Sequence, residues 1–347
     1  EAAGLVMRSL SEGDLSPEHW ADGVDRARAA AGRLIGCEAP DVAFLKSSAE
    51  GIGVVALGLD WRPGDEVVVY DQEFPAGVLP WLGLDHLGVV VRFVRDRGRN
   101  RFEAADVDAL LTSRTRVVCL GLVNFSTGFR APVEAIRRLC RERDVLFVVD
   151  ATQALGALTA DVREIGCDVL VAHAYKFLMS GHGTAICYFS PTVRNRLRVP
   201  EPGWKSVQDH GDASGPPSYE VVRLASDARR FEPSIQDLAS VAALGASLGL
   251  LTSVGPAAIE ERVLGYGQQL AEAVAERGYR VVSSGAAGER SAIVSIERSG
   301  VDPRTAAAAL RERGVAVAAR GGRLRLSCHF YNDSGDLGRL LEALLRR

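Results

Sequence analysis

Several things this 347-residue chain lacks narrow its role before any motif is considered. It has no excess of charge: 41 Lys and Arg stand against 44 Asp and Glu, a formal net charge of −3. Without a strong field there is no basis for non-specific binding to nucleic acid or to an anionic membrane surface. Long apolar runs are missing too. Stretches such as Val117–Val123 are far shorter than the roughly 20 residues a spanning helix needs. There is no CxxC pair among the six cysteines (Cys37, Cys119, Cys140, Cys167, Cys187, Cys328), and several sit in apolar stretches. That pattern fits reduced, buried thiols of a cytoplasmic protein better than a disulfide framework. No G-x-x-x-x-G-K-[ST] run occurs, and no G-x-G-x-x-G follows the first strand pattern, which argues against P-loop NTPases and nicotinamide dehydrogenases. Repeats and low-complexity tracts are absent, and 47% hydrophobic with 24% charged residues is an ordinary globular balance. The chain opens on Glu1 with no basic-then-apolar leader, so the expectation is a native start that was cleaved, disordered or trimmed.

Short β-branched runs alternate with amphipathic stretches. Strands are expected at Val42–Leu45, Glu66–Tyr70, Val89–Phe93, Val117–Val123, Val145–Asp150, Val169–Ala172 and Thr184–Phe189, with helices such as Val133–Glu142 between them. Strands of this length separated by helices predict an α/β fold with a parallel sheet covered on both faces. Trp204–Pro217, rich in Gly, Pro, Asp and Ser, reads as a loop. Helical patterns follow at Leu238–Leu251 and Ala257–Arg277. The tail reads strand (Ala292–Ile296), helix (Arg304–Arg313), strands (Val315–Ala318, Leu324–Ser327) and helix (Gly335–Leu345). The expected division is a large domain over 1–248 and a smaller α+β domain over 249–347.

The chemistry concentrates in two segments. Val145-Leu-Phe-Val-Val-Asp150 is a buried strand ending in a carboxylate, which sets that carboxylate at the sheet edge where ligands of α/β folds bind. Val169-Leu-Val-Ala-His-Ala-Tyr-Lys176 ends in a lysine ahead of a glycine-containing loop. A poorly solvated lysine has a lowered amine pKa and can form an imine. A buried aspartate nearby has one recurrent use, pairing with the pyridinium nitrogen of pyridoxal 5'-phosphate. Taken singly, such an Asp is more often a turn residue and such a Lys a surface residue.

Taken together with their neighbours, these segments resemble the class V aminotransferase and cysteine desulfurase family of fold-type I pyridoxal-phosphate enzymes. The resemblance runs through Ser47-Ser-Ala-Glu-Gly-Ile52, Gly64-Asp-Glu-Val-Val68, Glu73-Phe-Pro, Pro80-Trp81, Asn124-Phe-Ser-Thr-Gly128, Asp150-Ala-Thr-Gln153, Tyr175-Lys-Phe-Leu178, Arg230-Phe-Glu232, Arg325-Leu-Ser327 and Tyr331-Asn332. It implies a mostly parallel seven-stranded sheet with a smaller C-terminal α+β domain. It implies that Lys176 forms the imine with the coenzyme and then moves the Cα proton. Asp150 would bind the pyridinium nitrogen, Gln153 the phenolic oxygen with Asn124 close by, and Phe74 would stack on the ring. Ser48 and Ala49 would hold the phosphate at a helix start. His173 stands where the family usually has a small hydroxyl residue touching that phosphate. Ser234 would reach the phosphate of a second subunit, since family sites are built across a homodimer. Arg325, assisted by Arg320, would bind the carboxylate of an amino-acid substrate, because a guanidinium matches a carboxylate bidentately. His182 and His329 are expected to be structural or solvated, with no metal spacing around them.

One departure bears on the reaction. Desulfurases of this family carry a nucleophilic cysteine shortly before the closing Arg-Leu-Ser, and Val315–Arg325 contains none. Cys328 follows within the presumed strand, where alternation suits packing. The Tyr-Lys-Phe-Leu run is closer to the kynureninase and isopenicillin-N-epimerase-like branches. An aminotransferase or a Cβ–S/Cβ–X lyase is the leading expectation. An amino-acid epimerase, a desulfurase-like enzyme, or a non-catalytic binding protein that kept the fold are the alternatives.

Overall fold

In a computed structural model, residues 1–13, 17–208 and 223–345 are described. Seven strands form the large sheet: β1 (Val42–Leu45), β2 (Glu66–Tyr70), β3 (Val90–Val94), β4 (Thr115–Gly121), β5 (Leu146–Asp150), β6 (Val169–His173) and β7 (Ala185–Phe189). Their spatial order is β1-β7-β6-β5-β4-β2-β3. The β2–β3, β2–β4, β4–β5 and β5–β6 pairs are parallel, and β7 runs antiparallel to both β6 and β1. The expected sheet is therefore present. Alternation along each strand feeds two cores. Val68, Tyr70, Val118, Leu120, Phe147 and Val149 meet the helices Pro17–Ile35, Val133–Glu142 and Leu238–Val254 on one face. Val67, Val69, Val117, Cys119, Leu146 and Val148 meet the helix Ser48–Gly58 and Trp81 on the other. Full burial of each such Val or Leu contributes about 1.5–3 kcal/mol, so sheet registry is tightly specified.

Two expectations are corrected and one feature is additional. The fourth strand runs Thr115–Gly121 rather than Val117–Val123. Leu122 and Val123 stay buried, but the Leu122 N–H turns to Asp150 O and Val123 forms an isolated bridge with Arg130. The expected strand Val315–Ala318 begins only at Ala318, because the Val315 N–H is used by Leu310 O at the end of the preceding helix. Two N-terminal helices, Ala2–Ser11 and Pro17–Ile35, were not expected at all. Of the expected loop Trp204–Pro217, residues 209–217 lie outside the described residues, and Val207 bridges to Leu224.

A second sheet holds β8 (Arg280–Val281), β9 (Ile293–Glu297), β10 (Ala318–Arg320) and β11 (Arg323–Ser327), antiparallel in the order β10-β11-β9-β8. It packs with the helices Pro256–Ala275, Pro303–Glu312 and Ser334–Leu345 around Leu270, Val274, Ile296, Leu324, Leu326 and Cys328. The expected boundary between residues 248 and 249 falls inside the helix Leu238–Val254. The chain turns at Gly255, φ +94, into a helix inclined 81° to it. Hydrogen bonds tie the two sheets: Ser291 Oγ donates to Gly128 O at 2.7 Å and the Arg130 N–H to Glu289 O at 2.9 Å. No single helix among the described residues is long and apolar enough to cross a membrane.

Candidate active site

Because β7 alone is reversed, β1, β2, β4, β5 and β6 all end at one edge of the large sheet. The residues just past those ends converge on a single cleft: Ser48 after β1, Glu73 and Phe74 after β2, Val123 and Phe125 after β4, Thr152 and Gln153 after β5, and Tyr175 and Lys176 after β6. Asp150 and His173, the last residues of β5 and β6, line it as well. Ligands of open α/β sheets bind at this carboxyl edge.

Lys176 Nζ lies 5.6 Å from the centre of the Phe74 ring and 5.5 Å from that of Tyr175. Burial, then the Arg325 guanidinium, bring its amine down from 10.5 to about 8, with Asp150 pulling the other way. Burial drives the Asp150 carboxyl upward, opposed by hydrogen bonds from Thr152, by the Lys176 ammonium and by the Ser48 hydroxyl. The Thr152 N–H donates to Asp150 Oδ1 at 2.8 Å. The Thr152 hydroxyl oxygen accepts the His173 N–H at 3.0 Å, locking the ends of β5 and β6 together. Gly156, φ +97, lets the turn after β5 press against the Phe177 carbonyl, where any Cβ would collide. That contact backs the lysine loop.

His173 is half-buried; its ring meets Tyr175 edge-on at 4.5 Å, and its buried Nε2 has no partner. Tyr175 in turn stacks on His182 at 4.5 Å. Phe74, 44% exposed, packs edge-on to Phe125 at 5.3 Å. Ser48 opens the helix Ser48–Gly58, capped by Ser47 Oγ, which accepts the Glu50 N–H at 3.2 Å. Ala49 follows in that first turn, where N–H groups have no intrahelical acceptor. The helix start thus presents free N–H groups beside a lysine and a buried acid.

The other expected residues lie at the cleft wall or away from the cleft. Asn124 is 3% exposed and organises its own turn: its Oδ1 accepts from the Ser126 N–H, the Thr127 N–H and the Thr127 hydroxyl, and its Nδ2 donates to Gln72 O. Ser234 is exposed and does not line the cleft. Arg325 is half-buried on β11 and its Nη1 donates to Phe125 O at 2.8 Å, at the cleft wall. Arg320 is exposed at the end of β10. His329 is buried, with Nε2 3.1 Å from Phe177 O, a packing role. Cys328 is 2% exposed, and burial pushes its thiol up to about 12.

Sequence reasoning did not assign Glu73, Thr152, Phe125 or Tyr175 to the cleft. The signal was available: each lies within a few residues of the end of a parallel strand. Glu73 Oε1 accepts the Gly121 N–H at 2.8 Å, and burial, more than the neighbouring Asp150, raises its carboxyl to about 7.

The model of the aminotransferase class-V family matches residues 3–338. A probable cysteine desulfurase of Methanothermobacter thermautotrophicus is 27% identical over 338 residues, covering 92% of this chain and 82% of its own. An uncharacterized aminotransferase of Bacillus subtilis is 25% identical over 331 residues, covering 94% and 85%. Among solved structures, the cystine C–S lyase C-DES in complex with cysteine persulfide superposes with a TM-score of 0.90 at 22% identity, over 99% of this chain and 92% of that one. The chain belongs to the class V aminotransferase family and has the fold-type I architecture. It is a pyridoxal-phosphate-dependent enzyme.

The residues present fit that coenzyme. The cleft is lined by the buried carboxylate Asp150, by Lys176, whose amine is lowered to about 8, and by His173, whose buried Nε2 has no hydrogen-bond partner.

Proposed function

We propose that this enzyme acts on an amino acid by moving its Cα proton at Lys176, as an aminotransferase or a Cβ–S/Cβ–X lyase. The observation that carries this reading is Lys176 itself: an amine held near pKa 8, close to two aromatic rings, in the same cleft as Asp150. When bound, pyridoxal phosphate supplies an electron-withdrawing ring that acidifies the Cα–H bond of an attached amino acid. Asp150 holds the ring nitrogen, and its burial makes that contact strong. Gln153 donates to the phenolic oxygen, and Phe74 covers the ring. The Ser48 hydroxyl, the Ser48 and Ala49 N–H groups and His173 hold the phosphate. Asn124 acts at one remove, by fixing the turn that carries Phe125. Arg325 receives the substrate α-carboxylate. Ser234 serves the site of a second subunit in a homodimer.

A cysteine-persulfide mechanism is disfavoured: all six cysteines lie outside the cleft lining, and β10 and β11 are joined by Gly321-Gly322 rather than by a cysteine-bearing loop. Unpaired cysteines throughout also support a cytoplasmic setting.

The test is a panel of amino acids offered to the yellow holoenzyme, with keto acid, ammonia and thiol measured as products. Transamination yields keto acid and an amino-form coenzyme; elimination yields ammonia as well. Borohydride should fix the coenzyme to Lys176, and an adduct on another lysine or on none would end the assignment.

A further inference from the structure

The hairpin β10–β11 turns through Gly321 (φ +54) and Gly322 (φ +76), two positive-φ residues in a tight two-residue connection. Its register sets Ala318 opposite Arg325 and Arg320 opposite Arg323. Side chains of a strand alternate and cross-strand partners share a face, so Arg320, Arg323 and Arg325 stand on one side of the hairpin. Leu324 and Leu326 point the other way, into the small core. Arg323 is engaged: Nη2 donates to Asn100 Oδ1 at 2.7 Å and Nε lies 3.5 Å from Glu297. The other two have no carboxylate partner among the described residues. Arg325 makes one bond to a backbone carbonyl and keeps a buried Nε with no acceptor, while Arg320 reaches only its neighbour's carbonyl, Ala319 O.

The hairpin stands against the cleft wall. The Arg325 bond to Phe125 O anchors it, and a Cβ on Gly321 would meet Ser126 Oγ at 2.5 Å. Both guanidinium groups bear on the lysine, each pulling Lys176 down. Neither nearby acid is paired with them: Asp150 accepts the Thr152 N–H and Glu73 the Gly121 N–H. The hairpin beside the cleft therefore carries two cations without a carboxylate partner among the described residues, where one substrate α-carboxylate needs one.

We propose that Arg325 and Arg320 form a two-anion clamp, and that the substrate is an amino acid whose side chain ends in a second acidic group. Its α-carboxylate lies on Arg325 and its distal anion on Arg320. This deepens the amino-acid reading above and rests on it. A single charge-assisted contact at the rim should favour a dianion by about tenfold.

The experiment is calorimetric titration of the holoenzyme with succinate and with butyrate, which match in carbon count and differ by one carboxylate. Succinate should bind about tenfold more tightly. Arg320→Gln should bring the preference close to one, whereas Arg323→Gln, whose guanidinium is already partnered, should keep it. Equal affinities in the parent enzyme, or a preference that survives Arg320→Gln, overturn the clamp. Borohydride labelling of the same preparation separates the two readings. An unlabelled Lys176 counts against the coenzyme assignment, and the succinate preference is read independently of it.

Discussion

The sharpest consequence of the cleft concerns the protonation of Lys176 in the coenzyme-free protein. Its amine is brought from 10.5 to about 8. At pH 7.5 that leaves about a quarter of the amine neutral, against about one part in a thousand for an unperturbed lysine, a gain of more than about 200-fold in the nucleophilic form. The chain has only three lysines, Lys46, Lys176 and Lys205, so each can be followed as its own peptide. The assay is labelling by a small amine-reactive acylating agent from pH 6 to 11, read by mass spectrometry, with Lys46 and Lys205 as internal references. Modification of Lys176 should rise through a midpoint near 8. The signs of two variants follow from their charges. Arg325→Gln removes a cation that disfavours the ammonium form, so the midpoint moves up; Asp150→Asn removes an anion that favours it, so the midpoint moves down. Each shift is expected within about one unit. A Lys176 midpoint close to 10.5, or both variants moving it the same way, would falsify the electrostatic account of the cleft.

Two further expectations are more direct. Asp150→Asn should still take up pyridoxal phosphate, because the Ser48 and Ala49 N–H groups are untouched, but should lose most Cα–H exchange measured in deuterated water; unchanged exchange means the ring nitrogen is not held there. Arg28 and Glu232, 5% and 3% exposed, form a bidentate pair at 2.6 and 3.2 Å, and Glu232 also accepts the Phe44 N–H at 2.7 Å. Glu232→Gln should cost about 3–5 kcal/mol in urea unfolding because it leaves a buried guanidinium with only the largely exposed Asp25 carboxylate, 3.8 Å away, as a charge partner, and a loss below about 1 kcal/mol would show that water reaches the pair.

Much of this was legible because buried parallel strands announce themselves. The run Leu146–Asp150 is apolar up to its final carboxylate, and the helix Val133–Glu142 lies where its pattern placed it. Lys176, Asp150, Gln153, Phe74 and Ser48 were found from motif order and do meet in one cleft. What escaped notice had weak one-dimensional signals. The helix Pro17–Ile35 buries Ala27, Ala31 and Ile35, and alanines contribute little to a periodic pattern. Glu73 and Thr152 look like turn residues until the strand order brings both to one cleft. Asn124 was assigned from its neighbours along the chain, but its Oδ1 is taken by its own turn and its Nδ2 by Gln72 O. Val315 has strand-like composition, yet its N–H closes a helix.

The lysine and the acid of the cleft stand on the large sheet, while the paired arginines stand on a short hairpin of the small one. On the proposed clamp, mutation of the hairpin redraws which molecules are admitted and reaches the lysine only through charge. A glycine-linked turn of two residues is also an easy place for insertions, so relatives can acquire a new reactive group there in a single step. On this view, diversification is a matter of exchanging one fingertip on an unchanged hand.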